Sequence, residues 1–196
     1  MEQAARMAAA LLPFIYEERL TGDLYGGAFS RRGRNKPQLA LGEFLLRRRR
    51  LAHWLPERGD AAQQAQWKEI SERQETIQRE WRVHYQRKLR EELAWRGRRL
   101  QAFLREQREE GGGLGGFAAE ARRRTLAQEL WREQGARGHE EDAREARRRL
   151  AEIDAELRPL TSAAPFAWDA TLAPVYPAEE FWWLYATSRD RIAQKR

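Results

Sequence analysis

From residue 60 to residue 110 the chain carries no proline and one glycine, Gly97, while apolar side chains return at helical spacing. The stripe runs through Trp67, Ile70, Gln74, Ile77, Trp81, Tyr85, Leu89, Leu93, Arg96, Leu100 and Phe103, ten steps over 36 residues. A mean step of 3.6 is the period of a straight α-helix; a two-stranded coiled coil needs 3.5. The stretch is therefore predicted to be one long amphipathic helix, on the order of 75 Å at about 1.5 Å per residue, with Asp60 as its N-cap. Trp67, Trp81 and Trp95 recur every fourteen residues and drift around this helix, widening its apolar face enough to seat two neighbours. Gly97 is a candidate kink, since glycine weakens a helix interior by about 1 kcal/mol relative to alanine.

The flanking segments read as partners for that helix. Residues 2–12 are helical, with Ala4, Ala8, Leu11 and Leu12 on one side and Pro13 as an interruption. Residues 14–30 fit either a bent helix pair or a small hairpin, and residues 30–37 (SRRGRNKP) form a basic loop. A helix with Leu41, Phe44, Leu45, Leu51 and Trp54 as its stripe follows from Gln38 to Pro56. Within it Arg47, Arg48, Arg49 and Arg50 spread around most of the circumference, so at least one faces the packed side or a partner.

After the long helix, residues 111–116 (GGGLGG) make a reversal without the Gly-Lys-Ser/Thr ending of a phosphate-binding loop. A helix over residues 117–134 carries Phe117, Ala121, Leu126, Leu130 and Trp131, and another over 140–157 carries Ala143, Ala146, Leu150, Ile153 and Leu157. These two are expected to fold back antiparallel. The arginine triplets 122–124 and 147–149 lie off the stripes and are expected to align into one basic face. From residue 159 the composition changes to Pro165, Pro174 and Pro177 among Phe166, Trp168 and Tyr176, which predicts an extended strap and then a last helix begun by Pro177. On that helix Phe181, Leu184, Tyr185, Ser188 and Ile192 share a face and Trp183 does not, so Trp183 must be covered by the strap or by a partner.

The predicted fold is all-α: an elongated helical bundle built on the long helix of residues 60–110. With 196 residues a single domain is expected, comprising an irregular segment (1–37), a helical core (38–158) and an aromatic strap with a terminal helix (159–196). Charged residues at 34% with both signs interleaved, beside eight Trp, favour solvated helices over disorder. The apolar run near the amino terminus is too short to span a membrane, is broken by Pro13 and lacks a basic flank, so a cytoplasmic protein with no membrane partner is expected.

Catalytic chemistry finds little support. There is no cysteine, and His53, His84 and His139 show no metal-ligand spacing. Ser30, Ser71, Ser162 and Ser188 lie in no nucleophile-elbow context. No enzyme activity, metal or cofactor is expected.

Charge points elsewhere. The net charge is +7 and 33 of the 37 basic residues are arginine, the residue suited to bidentate phosphate and carboxylate contacts. The expected function is a helical adaptor that contacts nucleic-acid backbone within a larger nucleoprotein assembly. Its candidate contacts are Arg31, Arg32, Arg34, Lys36, Arg47, Arg48, Arg49, Arg50, Arg98, Arg99, Arg122, Arg123, Arg147 and Arg148. The alternative is a scaffold for another protein or for a second copy of itself, whose partner-binding residues are Trp168, Tyr176, Trp182 and Trp183.

Overall fold

The apolar stripes become helices in a computed structural model, which describes residues 1–16, 22–23, 38–109, 116–136 and 140–189. Six α-helices are found among these residues: α1 (Glu2–Tyr16), α2 (Leu41–Arg58), α3 (Ala61–Glu80), α4 (Arg82–Glu109), α5 (Phe117–Gly135) and α6 (Glu140–Leu157). The fold class is all-α. Two small antiparallel pairs accompany the helices, β1 (Gly22–Asp23) with β2 (Gln38–Leu39) and β3 (Thr161–Ala163) with β4 (Ala186–Ser188). The alternatives for residues 14–30, the basic loop and the glycine run fall largely outside the described residues. No described helix is long and apolar enough to cross a membrane.

The long helix is two helices. At Trp81 the backbone leaves helical values, with φ −116° and ψ 34°, and separates α3 from α4. The hydrogen-bond ladder survives on either side, Trp81 N–H donating to Ile77 at 2.9 Å and Tyr85 N–H to Trp81 at 3.0 Å, so the break is confined to one residue. Gly97 lies inside α4 instead of kinking it. Contacts divide the chain into two compact units, Met1–Glu92 and Leu93–Arg196, where its length suggests one domain.

In the first unit α1, α2 and α3 pack on one another, burying Leu11, Phe14, Phe44, Leu45, Ile70 and Ile77. Pro13 sits within α1 and does not end it. A reciprocal capping box starts α3: Gln63 N–H donates to the Asp60 side chain at 2.8 Å, and the Asp60 amide donates to the Gln63 side chain at 3.2 Å. The N-cap of α2, Ala40, has no side chain able to cap. A carboxylate from α4 substitutes, because fully buried Glu92 accepts from the amides of Leu41 at 2.7 Å and Gly42 at 3.2 Å. A negative charge there satisfies orphan donors and complements the positive end of the helix.

In the second unit α5 is buried around most of its circumference, and α6 packs beside it. Contacts pair early α5 with late α6, Arg124 with Asp154, and late α5 with early α6, Trp131 N–H donating to the Ala143 carbonyl at 2.9 Å. The two helices are thus antiparallel, as the sequence implies.

The carboxy-terminal segment departs from expectation. No α-helix follows Pro177 among the described residues; Trp182–Tyr185 forms a single 3-10 turn and Ala186–Ser188 a strand paired with Thr161–Ala163. The physical reason is tertiary. Ala164 and Ala167 amides donate to Tyr185 and Leu184 carbonyls at 2.9 and 2.7 Å, so the two ends of the segment satisfy each other's backbone, and Phe181 and Trp183 can both be buried. Nor is the strap extended throughout, since Ala170–Val175 is 3-10 and is begun by Asp169, which accepts from the Thr171 amide at 2.9 Å.

Candidate functional site

The α5–α6 pair presents two polar stripes to each other. Arg147, Ala151 and Asp154 on α6, and Arg158 in the 3-10 turn that follows it, recur at steps of four, three and four; on α5, Arg124, Gln128 and Trp131 recur at four and three. Those are the spacings that keep side chains on one face of a helix. The stripes meet at Arg124, whose buried guanidinium donates through Nε and Nη2 to the two carboxylate oxygens of Asp154, each at 2.9 Å, and through Nη1 to Gln128 at 3.0 Å. This fork-to-fork pair fixes the guanidinium by two parallel bonds at once, the geometry that makes arginine–carboxylate pairs strong.

Trp183 closes the floor. Its ring lies 3.9 Å from the Arg124 guanidinium, and its indole N–H donates to the Thr125 hydroxyl at 2.9 Å. That hydroxyl in turn donates to the Ala121 carbonyl at 2.8 Å. Aromatic packing carries the order outward from Trp183 through Phe181 and Tyr176 to Trp168, with ring centroids 5.7, 5.1 and 5.0 Å apart and edge-to-face geometry throughout.

Over this floor opens a cleft of about 450 Å³ rimmed by Arg132, Arg147, Arg158, Trp131, Glu179 and Trp182. Arg132 pairs with Glu180 and lies 5.4 Å from the Phe181 ring. The Arg158 guanidinium stacks 4.4 Å over the Trp182 ring. The indole nitrogen of Trp182 is buried without a hydrogen-bond partner. Neither Arg147 nor Arg158 has a carboxylate partner among the described residues. With Asp154 and Glu180 each engaged by an arginine, the cleft holds two further guanidinium groups against the single carboxylate of Glu179. Glu179 and burial together raise the pKa of Tyr185, burial being the larger cause. An arrangement of planar cations and indole faces suits a ligand with an anionic and a flat aromatic part.

No family model matches this chain, and no significant match is found among curated proteins or solved structures.

The other sequence-predicted residues distribute unevenly. Arg31, Arg32, Arg34 and Lys36 lie outside the described residues. Arg47, Arg48, Arg49 and Arg50 are all half-buried on α2 and all engaged, so the quartet is not a free basic face. Arg98 and Arg99 are exposed on α4. Arg122 and Arg123 are half-buried, Arg123 paired with Glu120. Arg124 is committed to Asp154, so the two triplets do not align into one basic face; from them the cleft takes Arg124 and Arg147. Arg148 stays exposed on α6. Of the aromatic candidates, Tyr176 and Trp183 are buried in their own unit and present no surface to a partner, whereas Trp168 and Trp182 remain half-buried.

Reading the sequence for apolar stripes passes over Arg132 and Arg158 and assigns Trp131 to a packed stripe, whereas all three line the cleft. The spacing of Arg147, Asp154 and Arg158, steps of seven and four, is the signal that would point to Arg158. No group of side chains able to hold a metal ion is found among the described residues.

Proposed function

We propose that this chain is a non-enzymatic, cytoplasmic adaptor that contacts the phosphate backbone of nucleic acid through cleft arginines of its second unit, as part of a nucleoprotein assembly. The reading rests on one observation: Arg147 and Arg158 stand beside the indoles of Trp131 and Trp182 in an open cleft without carboxylate partners among the described residues. Exposed Arg148 extends this basic edge along α6. Guanidinium groups bind phosphate bidentately, and neighbouring indoles offer faces on which bases stack whatever their identity. Contact of this kind is sequence-tolerant and salt-sensitive.

A scaffold role based on the aromatic tail has less support, because burial of Tyr176, Phe181 and Trp183 removes the anchors that an interface needs. The test is the triple variant Arg147→Gln, Arg148→Gln, Arg158→Gln titrated with a labelled oligonucleotide. Weaker binding with an unchanged thermal midpoint supports the reading. Unchanged affinity removes the cleft from it.

A further inference from the structure

The break between α3 and α4 has a surface consequence in the first unit. Trp81, the residue at the break, is the one large apolar member of the long stripe that stays exposed, at 38%. It meets Tyr16, which ends α1 and is itself 42% exposed, with ring centroids 5.5 Å apart and planes at 71°. The Tyr16 ring rests in turn on His84, centroids 4.2 Å apart. The site is thus backed: a helix end, a helix break and the first turn of α4 hold two accessible rings in fixed relation.

Cations border it. Arg87 reaches the carbonyl of Ile15, the neighbour of Tyr16, with its Nη2 at 3.5 Å, which leaves most of its five N–H donors available. Arg82, next to Trp81, is exposed and has no carboxylate partner among the described residues. The first unit also carries the larger part of the positive excess, with 18 basic against 13 acidic residues over positions 1–92.

We infer that Tyr16 and Trp81 form a base-stacking platform for single-stranded nucleic acid, with Arg82 and Arg87 on the flanking phosphates. The inference rests on the nucleic-acid reading above but uses a different surface. Single strands are the occupant the chemistry selects, because exposed rings need unstacked bases and a duplex hides them. An apolar protein partner fits less well, since beside the rings stand the cations Arg82 and Arg87 and exposed Val83 is the one further large apolar side chain near them among the described residues.

The experiment measures the affinity of the full chain for a ten-nucleotide single strand and for a duplex of equal length, across salt concentrations. Trp81→Ala should weaken single-strand binding about tenfold or more, with the salt slope and the duplex affinity unchanged; Trp81→Phe should restore most of the loss. Tyr16→Ser should act in the same direction, which guards against a fold defect at the helix break. Arg82→Gln with Arg87→Gln should instead flatten the single-strand salt slope by roughly 1.4, two contacts at about 0.7 each. Single-strand affinity unchanged in both aromatic variants overturns the platform while leaving the cleft standing. Absence of all binding by the unaltered chain overturns both.

Discussion

Arg124 and Asp154 show how much a single residue type depends on where its neighbours stand. In an arginine triplet on a helix the natural expectation is three solvated cations, yet Arg124 is buried, because Asp154 meets it across the α5–α6 contact with two parallel bonds. Removing one partner strands a buried charge, so Asp154→Ala should cost about 3 kcal/mol of stability by urea denaturation. Asp154→Asn, which retains one acceptor, should cost less. Thr125→Val leaves the Trp183 indole N–H without an acceptor and should cost about 1 to 3 kcal/mol. Tyr185 carries a pH prediction. Its phenol donates to the Tyr176 carbonyl at 2.9 Å, and burial and Glu179 hold its pKa above the ordinary value near 10. The neutral form is favoured in the folded chain, so this contribution is complete below pH 10 and lost as pH rises through the folded value. Stability measured from pH 9 to 11 should fall less steeply in Tyr185→Phe than in the unaltered chain.

At the scale of elements, helices whose apolar residues keep a 3.6 period were legible. The stripe of residues 67–103 is buried at Ile70, Gln74, Ile77, Tyr85, Leu89, Leu93, Arg96 and Leu100, polar members included. α6 begins and ends at the expected residues. Three features were not legible, each for a non-local reason. The break at Trp81 involves neither proline nor glycine. The strand Ala186–Ser188 exists because Thr161–Ala163 pairs with it across more than twenty intervening residues. The cap of α2 comes from Glu92, fifty-one positions after the amide it satisfies. Gly97, the position that invited a kink, is an ordinary helical residue at which an added Cβ meets nothing within 4 Å. Gly97→Ala should therefore stabilise the chain by about 0.5 to 1 kcal/mol, whereas a functional kink there predicts loss. Asp60→Ala removes the capping box of α3 and should cost about 1 kcal/mol by the same denaturant assay.

Across the whole molecule, the sequence conveyed fold class and charge but not which charges remain available. Periodicity reports which residues face a core; it carries no information on which arginines meet carboxylates from another helix. Of the predicted contacts on α2 and α5, all six, Arg47 to Arg50, Arg122 and Arg123, are engaged. Arg147 and Arg158, one inside a predicted cluster and one overlooked, share the cleft without such partners among the described residues. The central claim, that these arginines serve a phosphate backbone, is tested most directly by fluorescence anisotropy of the purified chain with labelled single- and double-stranded DNA and RNA over a series of salt concentrations. The account predicts binding at low salt that weakens linearly in log affinity against log salt, with a slope reporting several released counterions. No binding at low salt, or affinity indifferent to salt, would contradict it.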